Sequence, residues 1–152
     1  MPSFKDTKIL PYKSSEIYGL VMDIEKYPEF LPWCKQAKII NIISTENLQA
    51  DLLINFKSLF EKYRSDVKHG IGENGFYFVD VTAIEGPFKY LKNRWRFRDL
   101  DNQKSCKVEF EIEFQFNSFL LEKMFGAIFE KAVNKMMHAF EERAKVIFAQ
   151  EK

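Results

Sequence analysis

Cysteine and histidine are scarce in this chain, which has 152 residues but only two of each. Cys34 and Cys106 are too few for a disulfide framework, and neither they nor His69 and His138 stand at the spacing of metal ligands. Cys34 also lacks the motif context of a nucleophile. We therefore expect reduced thiols, no metal site and no cysteine chemistry.

Long apolar runs are also missing. The amino-terminal stretch has neither the apolar core nor the small-residue cleavage site of a signal peptide. No later stretch reaches about eighteen uninterrupted apolar residues, the length that a membrane-spanning helix needs. We therefore expect a cytoplasmic protein that does not span a membrane.

Charge of either sign is not in excess, because 23 Lys and Arg residues face 22 Asp and Glu residues and leave a net charge of +1. Such a chain has no general attraction to nucleic acid or anionic lipid, so any such binding needs a local patch. The sequence also lacks a Gly-rich dinucleotide motif, a P-loop and a nucleophile elbow. We expect no DNA binding and no enzymatic activity, although an acid/base pair assembled from distant strands stays open.

Aromatic residues, in contrast, are abundant: they make up 16% of the chain, and 16 of them are Phe. Rings in this number either fill a core or surround an unfilled centre. Residues 119–148 have no Pro, contain Gly126 as their single Gly, and carry apolar side chains at three- and four-residue spacing. The pattern predicts one continuous helix of roughly 45 Å, whose apolar face another element must cover.

Two readings stay open for the side chains of this helix. Arg143 falls at the centre of the apolar face, so either its stem packs on apolar surface while its head reaches solvent or a carboxylate, or it marks the polar end of a cavity. His138 points to the opposite side. The large apolar side chains are either core or the wall of a lipophilic pocket, and they are Met124, Phe125, Phe129, Met136, Met137 and Phe140.

The rest of the chain predicts one or two short helices and six or seven strands. Residues 3–10 suit an edge strand, and Ser14 and Ser15 offer an N-cap for the helix that follows. Two prolines break residues 23–34 into turns or a brief helix, whose crowded rings either plug the core or form a pocket mouth. Residues 57–60 interrupt an otherwise alternating pattern. The remaining strands are expected at 38–44, 48–56, 62–69, 76–84, 91–98 and 106–116.

Short connections between these strands favour an antiparallel sheet. A sheet bent around the terminal helix gives a single α+β domain of the helix-grip type over residues 1–152. Such a sheet leaves a gap wherever it does not touch the helix, and a gap lined by Phe, Leu and Met accepts apolar ligands.

The last hairpin tests whether a basic row is a nucleic-acid site. Arg94, Arg96 and Arg98 share one strand face, and Glu109, Glu111 and Glu113 share a face of the next strand. A pairing that keeps both apolar rows on one side also sets the Arg row beside the Glu row. The arginines are then largely neutralised, which favours a solvated, charge-paired sheet face over a nucleic-acid site.

Four segments carry a resemblance to a known family. They are DIEKYPEFLPWC at residues 23–34, AIEGPFKYLKNRWRF at 83–97, the strand at 106–116, and FGAIFEKAVNKMMHAFEERA at 125–144. Together they resemble the coenzyme Q-binding proteins and their bacterial relatives, the ribosome association toxins, of the START-like polyketide cyclase/dehydrase superfamily. The resemblance covers nearly the whole chain. It departs from the family at Asn93, where the family usually has Gly.

The resemblance implies a START-like helix-grip fold with a deep hydrophobic cavity beneath the terminal helix. It implies that ubiquinone or a similar polyprenyl lipid is the bound ligand, in support of quinone-dependent respiration, with possible peripheral contact at the inner membrane. For some bacterial members it implies contact with the large ribosomal subunit that blocks subunit association. A cyclase-type enzyme is the third alternative.

The resemblance also implies positions for the ligand site. The entrance would be formed by Tyr27, Pro28, Phe30, Leu31, Pro32 and Trp33. The sheet wall would be formed by Trp95, Phe97, Phe110 and Phe114, and the helix wall by Phe125, Phe129, Met136 and Phe140.

Overall fold

One sheet and three α-helices contain most of residues 3–56 and 59–148, the part of the protein that the computed structural model describes. The strands are β1 (Ser3–Leu10), β2 (Cys34–Ser44), β3 (Asn47–Phe56), β4 (Leu59–Ile71), β5 (Tyr77–Glu85), β6 (Phe88–Asp99) and β7 (Cys106–Phe116). The helices are α1 (Ser14–Met22), α2 (Phe119–Phe125) and α3 (Phe129–Phe148), and a short 3-10 helix spans Ile24–Glu29.

All seven strands form one antiparallel sheet in the order β1-β7-β6-β5-β4-β3-β2. From β2 to β7 each strand pairs with its neighbour in sequence, whereas β1 closes the far edge against β7. The edge position of β1 and the helix-grip α+β architecture are as predicted. Of the predicted interruption at residues 57–60, Leu59 and Phe60 belong to β4, and 57 and 58 lie outside the described residues.

The register of the β6–β7 hairpin also follows the prediction. Trp95 stands opposite Phe110, and on the other face Arg94 stands opposite Glu111 and Arg96 opposite Glu109. The predicted charge pairing is nevertheless wrong in its partner. Arg96 reaches the other neighbouring strand and binds Asp80 of β5 at 2.7 Å, and no ion pair within 4.0 Å joins the β6 arginines to the β7 glutamates in the described chain.

Helix α1 begins differently from the prediction. Its N-cap is Lys13, not a serine, and the backbone N–H of Lys13 donates to Glu16 Oε1 at 3.0 Å. Ser14 is buried, and its backbone N–H donates to Asp99 Oδ1 at 2.8 Å. The start of α1 is therefore tied to the end of β6.

The predicted single helix over 119–148 is wrong, because residues 126–128 form a turn between α2 and α3. Ser118 caps α2 by accepting from the backbone N–H of Leu121 at 3.3 Å. At the other end of α2, a side chain on Gly126 would place its Cβ 2.6 Å from the carbonyl oxygen of Glu122. Glu122 cannot easily move away, since its Oε1 accepts from the backbone N–H of Phe116 at 2.9 Å.

The break changes which face of α3 is buried. The buried residues of α3 are Ala132, Val133, Met137, Phe140, Ala144 and Phe148. Ile147, expected on the apolar face, is 43% exposed. Arg143 therefore lies at the flank of the buried stripe and not at its centre. The sequence pattern combined residues of two helices into one phase, and the turn at 126–128 separates them.

The outward face of α2 is apolar as well. Phe119, Leu120 and Met124 are exposed, while Leu121 and Phe125 turn inward.

We predict opposite effects for the same substitution at two glycines. Gly126→Ala should lower the free energy of unfolding by about 1–3 kcal/mol, because the new methyl overlaps Glu122. Gly19→Ala in α1 is the control, since nothing lies within 4 Å of the position of its Cβ. It should raise stability by about 0.5–1 kcal/mol. Denaturant unfolding of both variants measures the difference. An equal stabilisation of both would contradict the close contact between Gly126 and the Glu122 carbonyl oxygen.

Candidate functional site

Aromatic rings hold the two ends of α3 against the concave face of the sheet. Near its start, the Phe129 ring lies 4.2 Å from Phe114 and 5.9 Å from Phe88, centroid to centroid. Towards its end, the Phe140 ring lies 5.3 Å from Trp95 and 5.2 Å from Phe30. Each end of the helix therefore packs on aromatic rings, which are the largest side chains.

Between these two ring clusters the helix presents smaller or more flexible side chains, and the interior there is hollow. A first cavity of about 60 Å³ is bounded by Ala132, Val133 and Met136 of α3 and by the sheet. A second cavity of about 60 Å³ adjoins it towards Phe140. Both cavities share the lining residues Trp33, Tyr63, Val81, Asn93 and Met136. They are therefore neighbouring parts of one hollow, divided by these side chains.

The lining of the hollow is mostly apolar, with a few polar groups. Asn93 Nδ2 donates to the carbonyl oxygen of Glu111 at 3.0 Å, and Asn93 Oδ1 accepts from Trp95 Nε1 at 3.0 Å. Ser65 Oγ donates to the carbonyl oxygen of Ala50 at 3.3 Å. Burial raises the pKa of the Tyr63 hydroxyl, so this group stays protonated at neutral pH.

Residues 23–34 close the hollow on the side of α3. Tyr27, Leu31 and Trp33 line the second cavity from this segment, and Met136 and Phe140 line it from α3. Tyr27 is fixed because its hydroxyl donates to the carbonyl oxygen of Val21. The closing segment and α3 are thus two sides of one seam.

Arg143 links the two sides of this seam at the protein surface. Its Nη2 donates to Glu29 Oε1 at 2.9 Å, and its guanidinium carbon lies 5.2 Å from the centre of the Phe30 ring. The hydrogen bond from Arg143 lowers the pKa of the Glu29 carboxyl. The contact is therefore complete at neutral pH and is lost as the pH falls and Glu29 becomes protonated.

No set of groups suited to covalent or acid/base chemistry stands out in the hollow. Among the described residues lining the two cavities there is no Asp, Glu, His, Lys or Arg. Burial raises the pKa of both cysteine thiols to about 12, which keeps them protonated and weakly nucleophilic. In residues 3–56 and 59–148 no group of three or more His, Cys, Asp or Glu side chains could hold a metal ion.

The structure brings together seven of the residues proposed for the ligand site. Tyr27, Leu31, Trp33, Trp95, Phe129, Met136 and Phe140 line one or both cavities. The others do not line either cavity. Phe97 and Phe110 are buried in packed core, Phe114 and Phe125 pack around the start of α3, and Pro28, Phe30 and Pro32 lie towards the surface.

Sequence reasoning missed two central lining residues, Asn93 and Tyr63. Both point to the concave face because side chains alternate along a strand, with Asn93 between Leu91 and Trp95. The departure from the family at position 93 was visible in the sequence. Its effect is on the cavity wall, since the β6 backbone pairs regularly there with Val81 and Ile112.

Comparison with known proteins gives a consistent family match. The family described as polyketide cyclase / dehydrase and lipid transport matches residues 10–141. The chain is 45% identical to "Ribosome association toxin RatA" of Rickettsia prowazekii (strain Madrid E) over 147 residues, covering 97% of this chain and 99% of that protein. It is 26% identical to "Coenzyme Q-binding protein COQ10 homolog B, mitochondrial" of Xenopus laevis over 151 residues, covering 97% of this chain and 60% of that protein.

Solved structures share the fold at low sequence identity. A START superfamily protein from Mycobacterium smegmatis superposes with a TM-score of 0.78 at 16% identity, covering 95% of this chain and 98% of that one. The Zhui aromatase/cyclase from a Streptomyces species superposes with a TM-score of 0.79 at 12% identity, covering 95% and 93%. The helix-grip architecture is therefore START-like.

We predict that two alanines on α3 respond oppositely to enlargement. Ala132 and Ala144 are both buried, but only Ala132 lines the first cavity. Ala132→Leu should leave stability unchanged or raise it by up to about 2 kcal/mol, because the added carbons enter empty space. Ala144→Leu should cost about 1–3 kcal/mol through overpacking. Thermal unfolding compares the two, and a similar large loss for both would mean that the hollow is not there.

Proposed function

Because the chain belongs to the polyketide cyclase/dehydrase and lipid transport family, and within it to the group of ribosome association toxins and coenzyme Q-binding proteins, we propose that it binds ubiquinone or a similar polyprenyl lipid. It would do so without transforming the lipid, in support of quinone-dependent respiratory electron transport. The hollow between α3 and the sheet is the observation that carries this proposal.

The chemistry of the hollow supports a lipophilic ligand. Aliphatic and aromatic side chains dominate the lining of both cavities, and their few polar groups are neutral. Binding of a lipophilic ligand to such a wall is favourable, because it removes apolar ligand surface from water. The described residues of the wall carry no charge that would bind an ionic ligand. A ring with a short polar edge and a long hydrocarbon chain matches this wall.

The size of the hollow sets a condition on binding. Two cavities of about 60 Å³ each fall well below the roughly 300–1,000 Å³ of typical ligand pockets. A quinone therefore needs the walls to separate. We place this separation at the seam between residues 23–34 and α3. Met136 lies on this seam, is flexible, and divides the two cavities. Release of the Arg143–Glu29 contact would let the seam widen.

The same wall argues for a carrier and against an enzyme. A cyclase-type reaction needs groups that donate and accept protons next to the substrate. The charged side chains that could do so are missing among the described residues of the two cavity walls. The structural similarity to an aromatase/cyclase is at 12% identity and concerns the fold.

We predict that purified protein binds decylubiquinone saturably, and that native protein carries a lipid identifiable by mass spectrometry after extraction. Ala132→Leu should weaken binding by about tenfold, because it fills part of the hollow. Ala127→Leu is the matched control, since Ala127 is exposed in the turn before α3. Isothermal titration calorimetry measures both. Absence of saturable binding together with absence of copurified lipid would refute the carrier function.

A second function is supported by a specific observation, the 45% identity to a protein named ribosome association toxin across almost the full length of both chains. We propose as the alternative that the chain binds the large ribosomal subunit and blocks subunit association. Arg94 and Arg98 on the outer sheet face are exposed, and Arg98 lies 5.8 Å from the centre of the Phe76 ring. This face is a candidate contact surface.

For this alternative we predict that the protein cosediments with isolated large subunits. The double variant Arg94→Glu, Arg98→Glu should lose cosedimentation if the outer sheet face is the contact. The double variant Lys131→Glu, Lys135→Glu on exposed positions of α3 carries the same charge change and serves as the control. Unchanged cosedimentation of the arginine variant would exclude this face, and no cosedimentation of the wild type would exclude the ribosomal function.

Contact with a membrane stays a prediction for the carrier function. Within the described residues no helix is long and apolar enough to cross a bilayer.

A further inference from the structure

The indole N–H of Trp33 has no hydrogen-bond partner. Its Nε1 is buried, and none of the described residues accepts its proton. The same side chain lines both cavities of the hollow. Buried donors in proteins are almost always paired, because an unpaired donor loses its hydrogen bond to water and gains nothing in return. An unpaired donor on a cavity wall therefore marks where a ligand acceptor belongs.

Most other donors on the wall already have a partner; the exception is the Tyr63 hydroxyl, which lines both cavities and makes no hydrogen bond to the described residues. The other tryptophan, Trp95, donates its Nε1 proton to Asn93 Oδ1 at 3.0 Å. Asn93 Nδ2 and Ser65 Oγ donate to backbone carbonyl oxygens of β7 and β3, at 3.0 and 3.3 Å. The hydroxyl of Tyr27 donates to the carbonyl oxygen of Val21. Trp33 thus differs from these four groups in having no hydrogen-bond partner at all.

We infer that Trp33 Nε1 donates a hydrogen bond to a carbonyl oxygen of the ligand, an inference that rests on the proposed carrier function. It follows that the hollow binds a quinone in preference to its quinol. A quinone oxygen accepts hydrogen bonds and has no proton to place. A quinol hydroxyl brings a proton that needs an acceptor of its own.

The wall offers poor acceptors for such a proton. Carboxylate and imidazole groups are lacking among its described residues. The side-chain oxygen of Asn93 already accepts the proton of Trp95. The Tyr63 hydroxyl can accept such a proton, but it also has a proton of its own to donate. A wall whose free polar groups are mainly donors leaves a hydroxyl proton of the quinol unpaired, so the quinone is the favoured ligand.

The test uses the two tryptophans as probe and internal control. In protein labelled with ¹⁵N at the indole nitrogens, the two N–H signals are assigned by their presence or absence in Trp33→Phe. Addition of decylubiquinone should move the Trp33 proton downfield, as a new hydrogen bond does, and move the Trp95 proton much less. Decylubiquinol, added without oxygen, should bind more weakly.

Affinity measurements complete the test. Trp33→Phe keeps the aromatic ring and removes the donor, so it should weaken decylubiquinone binding roughly two- to tenfold and leave decylubiquinol binding nearly unchanged. Saturable binding of decylubiquinone to the wild type without movement of the Trp33 proton would overturn the inference and leave the carrier function intact. Absence of binding by both forms would overturn the carrier function, and this inference with it.

Discussion

The separation between α3 and the sheet depends on ring size. Phe129 and Phe140 lie three helical turns apart, about 16 Å along the axis, and each stands on rings from other elements. Because aromatic side chains are long and stiff, they fix the height of both ends of the helix above the strands. The stretch between them carries Ala132 and Val133, which are too short to reach across the same height, and the flexible Met136, which fills only the part between the two cavities. The hollow is therefore a result of uneven side-chain length along one helix face.

The two faces of the sheet have different chemistry although they share the same strands. On β6, Leu91, Asn93, Trp95 and Phe97 face the helix, and the residues between them face solvent as a charged row. Strand periodicity makes this separation possible, since adjacent residues point in opposite directions. A lipid site inside and a contact surface outside could thus vary independently in one hairpin, which suits a family whose relatives carry names of both kinds.

Much of the fold could be predicted from the sequence because it rests on simple periodicity. The alternation in residues 106–116 and 91–98 fixed the register of the last hairpin, and short connections implied an antiparallel sheet. Prediction failed where local chemistry overrode a pattern. The helical spacing did not reveal the turn at 126–128, where Gly126 lies close to the carbonyl oxygen of Glu122. The ion pair between Arg96 and Asp80 depends on which neighbouring strand a long side chain reaches.

The site was harder to predict than the fold. Residue type indicated rings and methionines, yet it could not separate Phe140, which lines the second cavity, from Phe97, which is packed core two residues from Trp95. Only the distance between α3 and the sheet at each position distinguishes the two residues. The unpaired Nε1 of Trp33 was likewise outside the reach of sequence, because pairing depends on atoms contributed by distant elements.

The position of β1 has a consequence for how the molecule forms. Ser3 pairs with Glu113 and Leu10 with Cys106, so the first described strand is paired with the last one, about a hundred residues later in the chain. Such sequence-distant pairings form slowly, since a long loop must close before they return any free energy. During synthesis β1 cannot pair until β7 emerges, and α3 cannot cover the concave face of the sheet until it too has been made. Synthesis through α3 is thus a precondition for a closed interior, and a nascent chain stalled before β7 would expose its ring-lined face to chaperones and proteases.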